Sequence, residues 1–180
     1  MNFTLTQKER MLLEDQKTHE QICIEKYNKY ACEAQDPKLK QILKENEQAE
    51  RTHLNTINQL LSGTIPQMNQ QQGQQQGQQQ GQQAQQQSQG MQSQGMQQAQ
   101  GAGMQQQNNA QSTQGQLTDK DICTDLLMTE KYVSGAYDTA IFEFTNPQVR
   151  DVLNHIQKEE QQHGEKIFNY MQNNGMYNVQ

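Results

Sequence analysis

The chain has 180 residues, of which 31% are hydrophobic, and carries a formal net charge of -6. Its pI near 5.2 and lack of a basic stripe exclude nucleic acid as a main partner. No run approaches the ~20 apolar residues of a membrane span, so no membrane association is expected. The opening MNFTLTQKER has no apolar h-region, which predicts cytoplasmic synthesis without a signal peptide.

In chain order, Thr6 followed by Glu9 reads as a capping box. From there Leu13, Glu20, Ile24, Tyr27, Ala31 and Ala34 recur at helical spacing. Asp36-Pro37 supplies an N-cap and a proline at the first helical position, which restarts the helix. A second stripe follows with Leu39, Ile42, Leu43, Asn46, Glu50, His53, Ile57 and Leu60, and Gly63 caps its end. Residues 1–64 are therefore read as an N-terminal helical hairpin and 65–116 as a disordered linker built almost wholly from Gln, Gly, Asn, Ser, Ala and Met. That segment explains the mean hydropathy of -1.13. Its composition suits a solvated spacer, although amide side chains also offer hydrogen-bonded ladders or acyl donors to Lys.

Residues 117–175 repeat the grammar, with a tail at 176–180. Thr118 caps a third helix carrying Ile122, Leu126, Glu130, Val133, Tyr137, Ile141 and Phe144. Asn146-Pro147 starts a fourth, with Val149, Val152, Leu153, Ile156, Glu160, His163, Ile167 and Tyr170, fraying near Asn173, Asn174 and Gly175. Adding 110 to the number superposes the halves without a gap, matching Asp15, Glu20, Tyr27, Glu33, Pro37, Leu43, Glu50, His53 and Ile57 to identical residues. The predicted fold is all-α: an antiparallel, ferritin-like four-helix bundle of two duplicated hairpins, each burying the other's apolar stripe. A flexible linker of about 50 residues spans roughly 40 Å, so it permits pairing within a chain or between two chains of a homodimer.

Glu20, Glu50, His53, Glu130, Glu160 and His163 all fall on the inward stripes, where an ionised carboxylate is costly unless paired, protonated or metal-bound. Counting from the hairpin turn at ~1.5 Å per residue puts Glu20 and Glu50 at nearly the same height, roughly 20 to 24 Å away, and Glu130 and Glu160 likewise. One Glu from each of two helices and a Glu-x-x-His from each of the others is the ligand set of two-metal carboxylate bundles. Four carboxylates balance two divalent ions, and oxygen and imidazole donors without thiolate suit iron or manganese, with zinc a further fit. The competing reading is an inherited site whose carboxylates are held by Lys, water or the opposing His. Tyr27 and Tyr137 lie near this level and are read first as core, Asp15 and Asp125 as solvated acids rather than acceptors for His, and His19 and His155 as surface. Cys23, Cys32 and Cys123 form neither a CxxC nor a zinc ladder and are expected to be small buried or half-buried residues.

The second half closely resembles the coat domain of the CotF spore-coat family. The LTDKD opening at 117, the DLL-x-x-EK-x-x-x-x-AY run, the NP-x-x-R-D-x-L turn and the F-x-Y-M ending with GMY carry the likeness. The six inward Glu and His residues are also similar to the sets of rubrerythrin and manganese-catalase bundles. The resemblance implies a bacterial sporulation protein of the spore coat, structural in role, with other coat proteins as partners. The alternative is a di-iron or di-manganese redox enzyme, peroxidase- or catalase-like; no CxxC electron-transfer module accompanies it.

Overall fold

The computed structural model describes residues 3–67 and 117–178. They form four helices: α1 Gln7–Glu33, α2 Pro37–Leu61, α3 Asp119–Glu143 and α4 Pro147–Asn173. From residue 68 to 116 the segment expected to be a disordered linker lies outside the described residues. Among the described residues no helix is long and apolar enough to cross a membrane.

Local chemistry sets each helix boundary. The Thr6 hydroxyl accepts from Glu9 N while the Glu9 carboxylate accepts from Thr6 N, and Thr118 and Asp121 repeat the exchange in α3. Asp36 and Asn146 accept from the backbone two residues on, ahead of the prolines that open α2 and α4. At the far end of α2, Gly63 N donates to Leu60 O and Thr64 N to Gln59 O, a Schellman closure that puts Gly63 at φ 79°. A Cβ there would also come within 2.9 Å of the Phe3 carbonyl oxygen, so glycine is required for both reasons.

α1 packs on α2 and α3 on α4, and the hairpins join through α1 against α3 and α2 against α4. All these neighbours are antiparallel. Lys8 meets Glu143 at one end of the α1–α3 pair, and Asp119 meets Gln35 and Asp36 at the other. For α2 and α4, Tyr170 donates to Asp36 at 2.8 Å while His53 faces Glu159 further along. The first-turn acids exchange roles across the bundle: Glu9 accepts from Thr145 N at 2.9 Å, and Asp119 accepts from Gln35 N at 2.7 Å. These are matching positions of the duplication, so each half ties down the turn between the other half's helices. Consequently α2 ends at the end of the bundle where α1 begins, and α3 starts at the opposite end.

The inward stripes are the predicted ones, with two differences. Ile42 is only half-buried, since the α2 seam runs through Leu39, Leu43 and Asn46, beside it. Cys32 is exposed, contrary to expectation, because it follows the buried Ala31 by ~100° of helical rotation and so leaves the seam. Cys23 and Cys123 are buried as expected, and burial pushes the Cys123 thiol up to about 12. Leu43 and its counterpart Leu153 are fully buried. Leu43→Ala is expected to cost about 3 kcal/mol of stability, read from the shift in urea midpoint at unchanged m-value.

Candidate metal centre

Each of the four helices delivers its acid to one level of the core. Glu20 comes from α1 and Glu130 from α3, while α2 and α4 each supply a carboxylate and an imidazole one turn apart on one face. All six predicted residues converge, and none is more than 2% exposed. They form two clusters, Glu20–Glu50–His53–Glu160 and Glu50–Glu130–Glu160–His163, with donor atoms in each within 4.8 Å of one another. Glu50 and Glu160 are common to both.

Both rings turn Nδ1 inward. His53 Nδ1 lies 2.9 Å from Glu160 Oε1, 3.3 Å from Glu50 Oε2 and 3.5 Å from Glu20 Oε2. His163 Nδ1 lies 2.9 Å from Glu50 Oε1, 3.8 Å from Glu160 Oε2 and 3.9 Å from Glu130 Oε2. The rings stack with centroids 5.6 Å apart. Four buried carboxylate oxygens, Glu20 Oε2, Glu130 Oε2 and both of Glu160, have no hydrogen-bond partner among the described residues. Glu160 Oε1 is near His53 but out of line for a hydrogen bond. Orphaned oxygens at this depth are costly. Their convergence at this spacing fits two divalent ions, which ~2 Å bonds would draw together with small side-chain movements.

The acids are electrostatically unequal. Burial, reinforced by neighbouring carboxylates, holds Glu20 and Glu130 well above the usual carboxylate range. Burial pushes Glu50 the same way, but contacts with His163 and His53 outweigh it and hold Glu50 below that range. Burial would lower His53, yet Glu159, Glu160, Glu20 and Glu50 around it raise it well above the ordinary imidazole value. Glu20, Glu130 and His53 therefore keep their protons more readily than free side chains do, and a cation bound beside them competes with those protons.

Three contacts go beyond the expected set. Tyr27 and Tyr137 are core residues as read, but Tyr27 also donates to Glu130 and Tyr137 to Glu20. The crossing arises because α1 and α3 run antiparallel, so a tyrosine two turns past one glutamate reaches the other half's. Their place on the glutamate stripe was the available signal. Glu159 lies outside the predicted set; its Oε2 accepts at 2.9 Å from His53 Nε2, the ring nitrogen turned away from the cluster. A carboxylate there fixes the ring and leaves Nδ1 for an ion. Asp125, read as a solvated acid, instead binds Lys26 and Tyr30, whereas Asp15 is exposed. His155 is exposed, and His19 is half-buried beside Gln16 and Tyr132.

The fold and geometry thus define an all-helical bundle with two buried carboxylate–imidazole clusters sharing two glutamates. Residues 118–180, the C-terminal hairpin, match the Coat F domain family. The chain is 34% identical over 68 residues to the uncharacterized protein YusN of Bacillus subtilis (strain 168), a match covering 38% of this chain and 62% of the relative. The chain therefore spans less than two thirds of that relative's length. No solved structure matches.

A pH dependence follows for the chelator-treated protein. Groups raised on folding, here Glu20, Glu130 and His53, contribute stability below their unfolded values and lose it as pH rises through the folded ones. Glu50, lowered on folding, acts in the opposite sense, and only in acid. The melting temperature of the metal-free protein is expected to fall as pH rises from about 5 to about 9, and added Mn²⁺ is expected to flatten that fall.

Proposed function

We propose that this chain is a structural protein of the spore coat, of the CotF type, whose bundle binds two divalent metal ions, iron or manganese. The coat role is supported by the Coat F match across the C-terminal hairpin. The observation that carries the metal reading is the pair of clusters sharing Glu50 and Glu160, with four orphaned carboxylate oxygens aimed into them. The helix arrangement supports a ferritin-like bundle: neighbours are antiparallel, and α2 and α3 end and begin at opposite ends, the pattern of a single long crossover.

Glu20 and His53 would hold one ion and Glu130 and His163 the other, with Glu50 and Glu160 available to both. Bound ions supply Lewis acidity and electron exchange. The chain's own part is to exclude bulk water, orient His53 through Glu159, and hold Glu20 and Glu130 through the Tyr137 and Tyr27 hydroxyls. Ions here would also replace the protons that neutralise the cluster, cross-bracing all four helices at one level. That suits a coat component, which needs a fold that endures.

Protein purified without chelator is expected to carry about two ions per chain by elemental analysis, and Glu160→Ala, which removes a shared ligand, fewer than about one. Wild type with under about a tenth of an ion per chain after incubation with Mn²⁺ or Fe²⁺ would sink the metal reading. For the coat role, a tagged full chain in a sporulating host is expected in the coat extract of purified spores. Confinement to the soluble mother-cell fraction would refute it.

A further inference from the structure

The duplication is nearly symmetric in its ligands but not in what surrounds them. A cavity of about 470 Å³ opens between α3 and α4, with Glu130 and Glu160 at its floor and Leu127, Gly164, Phe168 and Tyr177 at its sides. Phe168 and Tyr177 meet edge to face at 5.1 Å, so the chain after α4 folds back to form one wall. The cavity exists because two positions are small. Gly164 carries no side chain, and Ser134 stands opposite on α3.

At the corresponding positions of the first half stand Leu54, half-buried, and Ile24, buried at 7% exposure. Aliphatic side chains therefore occupy beside Glu20 and Glu50 the space that is open beside Glu130 and Glu160. Phe168 corresponds to the exposed Asn58, so the first half also lacks the aromatic wall.

A second asymmetry concerns the same cluster, from its α2 side. Lys166 Nζ donates to Asn46 Oδ1 at 3.2 Å, Asn46 Nδ2 donates to the Tyr27 hydroxyl at 3.2 Å, and Tyr27 donates to Glu130. This chain of polar groups runs from a half-buried lysine to the acid at the cavity floor. The matching positions are Thr56 and Ile156, which supply neither the ammonium nor the amide to Tyr137. Glu159, in contrast, braces His53 alone, because its counterpart beside His163 is Ala49.

We propose that the α3–α4 cavity is the entry and binding site for a small exogenous ligand, of the size and donor character of peroxide or azide, at the metal position formed by Glu130 and His163, and that the Glu20–His53 position is closed to such ligands. This rests on the metal reading above. Leu127, Gly164 and Phe168 give the cavity apolar sides above Glu130 and Glu160, with Lys131, Gln161 and Glu165 exposed at the rim, which suits a compact molecule that binds through the ion rather than through the walls. Four protein donors at this position leave room for one more on an ion that accepts five or six.

The test copies the closed half into the open one. A Cβ on Gly164 would meet only Glu130 Cβ and Leu127 Cδ1, both at 3.7 Å, so a larger residue enters the cavity without displacing backbone. Gly164→Leu also removes a glycine from a helix interior, so its melting temperature should equal or exceed that of wild type. Wild type and the Ser134→Ile, Gly164→Leu double variant are loaded with iron, assayed for iron per chain, and titrated with azide by the ferric charge-transfer absorbance.

Equal iron in both, saturable azide binding in wild type, and affinity weakened by about tenfold or more in the double variant is the expected result. Equal azide affinity in the two, or no azide binding by iron-loaded wild type, overturns the proposal. Absence of iron in wild type overturns it together with the metal reading, and the iron count separates that failure from the others. Should the double variant hold less iron, Gly164→Leu alone, which leaves α3 untouched, carries the same comparison.

Discussion

The structure depends on neutralising four carboxylates, with two imidazoles among them, in the middle of a largely apolar core. All six are 98% or more buried, and several of their oxygens find no donor. An isolated ion at this depth is too costly to keep, so the group survives only by sharing protons or by holding cations. That requirement explains why the acids come to one level, why the imidazoles point Nδ1 inward, and why tyrosine hydroxyls reach two of the glutamates. A shift of one helix by one turn would take its acid out of the cluster and strand the remaining charges without partners.

Around this centre the packing is conventional. Leucine, isoleucine and valine seams above and below supply the burial, and the turns are closed by side chains from the opposite half. The reciprocal contacts of Glu9 with the 145 turn and Asp119 with the 35 turn make the hairpins interdependent at both ends of the α1–α3 pair. A duplicated hairpin has an exposed apolar stripe by itself; two of them close the core and complete the clusters together. The coat-type match lies in the second hairpin alone, yet the clusters draw equally on the first.

Duplication also frames the asymmetries. Substitutions at Leu54 versus Gly164, Ile24 versus Ser134, Asn46 versus Ile156 and Ala49 versus Glu159 leave the clustered acids and imidazoles alike and make their surroundings different. One cluster is braced by Glu159 and walled by aliphatic side chains; the other opens on a cavity and connects to Lys166. Identical acid and imidazole sets in unlike environments are the physical condition for dividing roles between the two clusters.

Much of this was legible in the residues. Helical spacing, Thr6 with Glu9, Asp36-Pro37 and Asn146-Pro147 dictate four helices with sharp turns, because caps and proline act within a few residues. The inward placement of Glu20, Glu50, His53, Glu130, Glu160 and His163 follows from the same periodicity. Tertiary structure alone decided which half's tyrosine meets which glutamate, which imidazole nitrogen faces the acids, that Glu159 rather than Asp125 or Asp15 supports a histidine, and that Gly164 and Ser134 leave a cavity. Those outcomes depend on the antiparallel order of helices from different halves and on rotamers at their contacts. Residues over 100 positions apart carry no local trace of either.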